Sequence, residues 1–132
     1  MKWLIRIAVI GALILVVGVV VVQNLSSVIC APPEAVAKLF VTQDVNDPLL
    51  SYKTNTGSFP TTQQDGLMAL IKAPAGVTNW KGPYLKGNHV PLDPWSNPYH
   101  YRYPGIHNLN GYDAWSSGPD GIDGTTDDIG NW

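Results

Sequence analysis

Apolar residues follow three different patterns along this chain, and the first is a nearly unbroken run over residues 3–22. Arg6 is the only charged side chain in that run. A helix of 20 residues rises about 30 Å, the thickness of a bilayer's hydrocarbon core. Lys2 and Arg6 precede most of the run and no basic residue follows before Lys38, so the N-terminus is expected in the cytoplasm. We expect a single-pass anchor over residues 1–25.

A cleaved signal peptide is the alternative explanation of this segment. The apolar core of a signal peptide usually spans about 7–15 residues and ends at a small-residue site. The run is longer than that, and residues 25–33 contain no good site of this kind. An uncleaved anchor is therefore favoured, followed by a break over residues 26–33.

The second pattern has a helical period and covers residues 34–55. Pro32 and Pro33 interrupt any helix that continues from the membrane, and Pro48 implies a kink or a new helix that has this proline at its first position. Thr61 and Gln64 resemble a capping box for a short second helix with Leu67, Leu70 and Ile71 on one face, ending before Pro74. The apolar positions of the longer helix are Val41, Val45, Leu49 and Tyr52.

The third pattern alternates and predicts strands. Tyr99, Tyr101 and Tyr103 alternate with His100 and Arg102, which indicates a half-buried strand. Residues 112–116 are its expected antiparallel partner. Helices followed by a small antiparallel sheet define an α+β domain over residues 34–132.

Charge and composition restrict the possible functions. Residues 31–132 contain six basic and ten acidic residues, a net charge of −4, which argues against a nucleic-acid partner. The single cysteine, Cys30, excludes an intramolecular disulfide and any multi-cysteine metal site.

The acidic side chains are concentrated near the C-terminus, without Lys or Arg among them. Ca²⁺ accepts six to eight oxygens from carboxylates and carbonyls, and Gly121 and Gly124 allow tight turns. The spacing is not that of an EF-hand, because Ile122, Gly124 and Asn131 occupy ligand positions. Composition alone leaves a solvated acidic loop as the alternative. The five carboxylates are Asp113, Asp120, Asp123, Asp127 and Asp128.

Catalytic residues are poorly supported. His89, His100 and His107 lack metal-ligand spacing. Ser116 or Ser117 could form a triad with His100 and Asp113, but no nucleophile elbow accompanies them. We expect no enzyme.

Four segments resemble the major pseudopilins of bacterial type II secretion, within the type IV pilin superfamily. They occur in the family's order and cover most of the exported domain. The segments are YKTNTGSFPTTQQDGLMAL (52–70), WKGPYL (80–85), PLDPWSNPYHYRYPG (91–105) and SSGPDGIDGTTDDIGNW (116–132).

This resemblance implies a type IV pilin-like fold and a filament subunit. The N-terminal helices would pack as the core of a periplasmic pseudopilus that moves folded proteins through an outer-membrane channel. Minor pseudopilins and an inner-membrane assembly platform are the implied partners. The resemblance also implies a Ca²⁺ site in the C-terminal loop, with Asp123 as its weakest candidate. The implied ligands are side-chain oxygens of Asp120 and Asp127, with Asp128 as a substitute for Asp127, and mainly backbone oxygens of Ser117, Ile122 and Thr125.

The N-terminus departs from the family at two points. Met1-Lys2-Trp3 precedes Leu4, where the family has a basic leader ending in Gly before the prepilin peptidase site. Arg6 occupies the position of a Glu that pairs with a neighbouring subunit's N-terminal amine, and an arginine there repels that amine. Arg6 is either a topology signal or a sign of altered assembly. The alternative function is thus a membrane-tethered calcium-binding or adhesion module that does not polymerise.

Overall fold

The computed structural model describes residues 31–63 and 65–132. The predicted anchor over residues 1–25 lies outside the described residues. Within the described ranges, no helix has both the length and the apolar character needed to span a membrane. Residues Pro33–Trp132 form one compact unit.

The helical segment consists of two α-helices joined by a π-helical turn. Helix α1 covers Pro33–Leu39, the π turn covers Phe40–Asp44 and helix α2 covers Asn46–Thr56. Pro33 is tolerated as the first helical residue, because the amide that it lacks would have no intrahelical partner there.

The π turn explains why apolar residues four apart all face the core. Each step of four residues in an α-helix over-rotates by about 40°, so three steps accumulate about 120° of drift. The wider π turn, closed by the Val45 amide donating to the Phe40 carbonyl at 3.1 Å, takes up about one extra residue. Ala37, Val41, Val45 and Leu49 are all fully buried as a result.

The second α-helix begins and ends near the predicted positions. Pro48 is the third residue of α2 rather than the first, still within the first turn where proline is tolerated. The helix ends at Gly57, whose φ of 95° is left-handed and whose amide donates to the Lys53 carbonyl at 2.8 Å.

The short second helix is a 3₁₀ turn over Gly66–Leu70. Asp65 and Gly66 have positive φ values of 63° and 50°, and consecutive left-handed residues cannot start a regular α-helix. Gln64 lies outside the described residues, so the capping box stays a prediction. Leu67, Ala69 and Leu70 are nevertheless buried.

Three short strands form an antiparallel sheet in the order β1-β2-β3. Strand β1 (His100–Arg102) pairs with β2 (Asp113–Ser116), with Tyr101 opposite Ala114, which confirms the predicted hairpin. Strand β3 (Ile129–Gly130) pairs with β2 at Trp115 and Ser116. This strand was not predicted, because two residues are too few to show the alternation of apolar and polar side chains that marks a strand.

The core lies between the helices and the sheet. The predicted stripe on the helices is confirmed, and Tyr52 is only 1% exposed. Aromatic rings join the layers: Phe40 stacks on Tyr99 with centroids 4.1 Å apart, and Phe59 meets Tyr112 edge-on at 5.1 Å. The α+β fold with a helical segment and a small antiparallel sheet is therefore confirmed.

Candidate metal centre

The acidic loop, residues 117–128, connects β2 to β3 and is closed by a tight neck. Gly118 has a φ of 63°, and a Cβ there would overlap the backbone carbonyl oxygen of Asp127. Glycine is required at this position both by the backbone conformation and by this close approach. The two ends of the acidic loop therefore lie together.

A buried polar cluster holds the start of the acidic loop. The Ser116 hydroxyl donates to Asp93 Oδ2 at 2.5 Å and accepts the Gly118 amide at 3.1 Å. Asp93 Oδ1 in turn accepts the amides of Trp95 and Asn97. The turn after Asp93 is thus linked to the end of β2, which fixes where the acidic loop begins.

Three of the predicted ligands meet around one hydroxyl. Thr125 Oγ1 lies 3.1 Å from the Ile122 carbonyl oxygen and 2.5 Å from Asp127 Oδ1. A hydroxyl has one proton, so it cannot donate to both oxygens at once. The cluster is richer in lone pairs than in donors, which is the property of an oxygen site for a hard cation.

Hydrogen bonds within the acidic loop favour the ionised form of the Asp127 carboxylate. The Thr125 hydroxyl and the Asp120 amide, 3.2 Å from Oδ2, both donate to its carboxylate. The Thr125 bond first, and then the Asp120 bond, lower the pKa of Asp127 below its usual value. Asp127 is therefore ionised at neutral pH.

The two carboxylate oxygens of Asp128 differ in their hydrogen bonding. Its Oδ2 accepts the Gly124 amide at 2.8 Å, but its Oδ1 is buried and has no hydrogen-bond partner within residues 31–63 and 65–132. A buried carboxylate oxygen without a partner is costly, and a cation would remove that cost. The residues present therefore fit a Ca²⁺ ion by donor chemistry.

Two predicted ligands are less closely associated with the group. The Ser117 hydroxyl is buried and lies 2.8 Å from His100 Nε2 on β1. Asp120 is exposed, and its Oδ1 accepts the Ile122 amide at 2.8 Å.

The remaining two carboxylates have other partners. Asp113 accepts the amides of Ile106, His107 and Asn108 at 2.6–3.0 Å. Asp123 Oδ1 accepts the Trp115 indole N–H at 2.6 Å.

Side chains alone do not form a metal site in the described part of the chain. No group of three or more His, Cys, Asp or Glu residues in residues 31–63 and 65–132 could hold a metal ion. A cation here would therefore depend on carbonyl and hydroxyl oxygens, which suit Ca²⁺ and not Zn²⁺.

Comparison with known proteins decides the family. The family model for type II secretion system protein G matches residues 34–132, three quarters of the chain. The chain belongs to the type II secretion system protein G family.

Relatives and a solved structure agree with this assignment. The chain is 47% identical over 88 residues to the type II secretion system core protein G of Pseudomonas aeruginosa, and 45% identical over 86 residues to that of Escherichia coli K12. The matches cover 61% of this chain but only 58% and 55% of those relatives. The chain thus matches well under two thirds of their length.

The fold also matches the crystal structure of the major pseudopilin from the type 2 secretion system of enterohaemorrhagic Escherichia coli. The TM-score is 0.62 at 30% identity, over 79% of this chain and 93% of that one. The predicted resemblance to major pseudopilins is confirmed.

Membership of the protein G family also settles the question of catalysis. Its members are structural proteins of the secretion system, so the prediction that the chain is not an enzyme is confirmed. Of the residues considered for a triad, Ser117 contacts His100, whereas Asp113 accepts the amides of residues 106–108.

Sequence reasoning missed the residues that fasten the end of the protein G domain. Asn131 Oδ1 accepts the Ala114 amide at 3.1 Å and the Asn108 side-chain amide at 3.0 Å, and Asn131 Nδ2 donates to the Tyr112 carbonyl at 3.1 Å. Lys38 reaches β3 from α1. Neither residue has a local pattern that marks such long-range contacts.

Proposed function

We propose that this chain is the major structural subunit of a type II secretion pseudopilus that polymerises through its N-terminal helix. Assembly would help to move folded proteins across the outer membrane, together with minor pseudopilins and an inner-membrane platform. The subunit would sit in the inner membrane with its N-terminus cytoplasmic and its C-terminal domain periplasmic. The family match over residues 34–132 supports this proposal.

The second part of the proposal is that Ca²⁺ stabilises the acidic loop. The observation that carries it is the buried Oδ1 of Asp128, which has no hydrogen-bond partner among the described residues. The Thr125 hydroxyl of the same loop, which is shared by two acceptor oxygens, supports it. Asp127, Thr125 and Ile122 would hold the ion, with Asp120, Asp128 and the Ser117 carbonyl as further ligands. A bound Ca²⁺ supplies positive charge to oxygens that have too few donors.

Calcium binding is tested by thermal unfolding of the full chain in detergent. With CaCl₂ at 100 times the dissociation constant, binding contributes about 2.7 kcal/mol, which raises Tm by about 10 °C. Asp127→Asn should remove most of this rise, whereas Asp65→Asn, at an exposed carboxylate outside the acidic loop, should leave it unchanged. Identical wild-type Tm values in CaCl₂ and EDTA would contradict the calcium proposal.

A membrane-tethered module that does not polymerise is the second candidate, because Arg6 replaces the family's Glu. The chain should be overproduced with the assembly platform and Ca²⁺, and filaments counted by electron microscopy. Wild-type filaments support the pseudopilus. Filaments from Arg6→Glu but not from the wild type would support the tethered module.

A further inference from the structure

Lys38 links the helical segment of the domain to its last strand. It lies in the final turn of α1, and its ammonium donates to the Gly130 carbonyl at 2.5 Å and to the Trp132 carbonyl at 3.3 Å. Among the described residues, these are the only hydrogen bonds between α1 and residues 129–132. One side chain therefore joins segments that lie 92 positions apart.

Strand β3 begins directly after Asp127 and Asp128. Its Gly130 is buried opposite Trp115, and a Cβ at Gly130 would overlap the Trp132 ring. The Asn131 amide donates to the Ala114 carbonyl at 3.0 Å. The carbonyl that Lys38 contacts is therefore held in place by the pairing of β3 with β2, and the backbone that enters β3 comes directly from Asp127 and Asp128.

Hydrogen bonds from a charged donor are worth more than neutral ones, but solvent weakens those of an exposed side chain. Lys38 is exposed at its α1 position. Its contribution should thus be moderate: enough to transmit order from β3 to α1 and too small to determine whether the domain folds.

We propose that Lys38 is a positioning residue that couples calcium occupancy of the acidic loop to the order of α1 and the π turn. This inference rests on the proposed calcium site. Ordering of the acidic loop fixes β3, β3 fixes the Gly130 carbonyl, and that carbonyl holds the end of α1 through Lys38. Because coupling is reciprocal, loss of Lys38 also weakens calcium binding.

The test combines calorimetry with hydrogen exchange on the full chain in detergent. Calcium should slow amide exchange in residues 117–130 and also in residues 33–44 of the wild type. In Lys38→Met, which keeps the aliphatic stem, calcium should still protect residues 117–130 but no longer residues 33–44. Calcium affinity should fall about three- to tenfold.

Two variants complete the test. Lys38→Arg keeps a charged donor and should restore the protection of residues 33–44. Lys72→Met, at an exposed lysine whose ammonium makes no hydrogen bond within the described residues, should behave like the wild type. A merely structural role for Lys38 would increase exchange equally with and without calcium.

The outcomes separate the two proposals. Calcium-dependent protection of residues 33–44 that persists in Lys38→Met would overturn the coupling alone. Calcium binding to the wild type with no change at residues 33–44 would do the same. A wild-type chain that binds no calcium would overturn both the calcium site and the coupling.

Discussion

The loop before β2 is held by one aspartate, Asp113 at the start of that strand, whereas the loop after β2 contains several aspartates, and the donors available to these carboxylates differ between the two loops. In the first, Asp113 is fully buried and accepts three backbone amides. In the second, oxygens of Ile122, Thr125 and Asp127 converge on one hydroxyl, and one Asp128 oxygen has no partner in the part of the chain that the structure describes. The ratio of donors to acceptors, and not acidity itself, is therefore the reason why we propose a cation for the second loop and not for the first.

The largest expected effect on stability comes from removing the Asp113 carboxylate, which accepts three backbone amides. Asp113→Ala leaves three backbone amides without their acceptor, and should cost about 3 kcal/mol in unfolding free energy. The loss should be the same with CaCl₂ and with EDTA in chemical denaturation. A loss that appeared only in CaCl₂ would show that Asp113 belongs to the cation site and would break the comparison.

An intermediate effect is expected at the unpartnered carboxylate. Asp128→Asn removes one charge from the acidic loop and should weaken calcium binding about tenfold, or about 1.4 kcal/mol. In EDTA it should leave stability almost unchanged, because no protein donor to Oδ1 is lost. Calorimetry with CaCl₂ measures the first effect and denaturation in EDTA the second. Equal destabilisation in both conditions would contradict the proposed role.

The smallest effect concerns acid in the absence of calcium. Burial opposes ionisation of Asp113, but the amides of His107, Asn108 and Ile106 outweigh it and lower the pKa of Asp113. A lowered folded-state pKa stabilises the fold above the unfolded value of about 3.9, and this contribution is lost as pH falls through the folded value. In EDTA, the contribution of Asp113 to the free energy of unfolding should therefore be constant between pH 7 and about pH 4.5, and should decrease below about pH 4.

Asp113→Asn is the matched variant for this acid titration. It cannot titrate, so its loss of stability below about pH 4 should be smaller than that of the wild type. Parallel wild-type and variant curves would show that the Asp113 pKa is not lowered by folding.

The parts of the fold that were predicted correctly follow from local patterns. Val41, Val45, Leu49 and Tyr52 repeat at a helical period and are buried, and the alternating tyrosines do form a strand. The 3₁₀ turn was missed because the spacing of apolar residues carries no sign of the left-handed conformations of Asp65 and Gly66.

The candidate site could likewise be predicted only in part. Composition indicated oxygen ligands, but only the resemblance to the family supplied a register for Asp120 and Asp127. Which aspartates already had partners could not be predicted, because the donors to Asp113 and Asp123 come from neighbouring loops and from the Trp115 indole. The roles of Lys38 and Asn131 were not predicted, because their hydrogen-bond acceptors are backbone carbonyls of residues distant in the sequence.

The neck at Gly118 and Asp127 has a consequence for how this loop can change during evolution. Because its two ends already touch, the stretch between them leaves and re-enters the sheet at one point. Lengthening a loop whose ends are already in contact costs little entropy and does not displace those ends. Residues 119–126 can therefore vary in length and composition among relatives, and with them the affinity for a cation, while the pairing of β2 with β3 is kept.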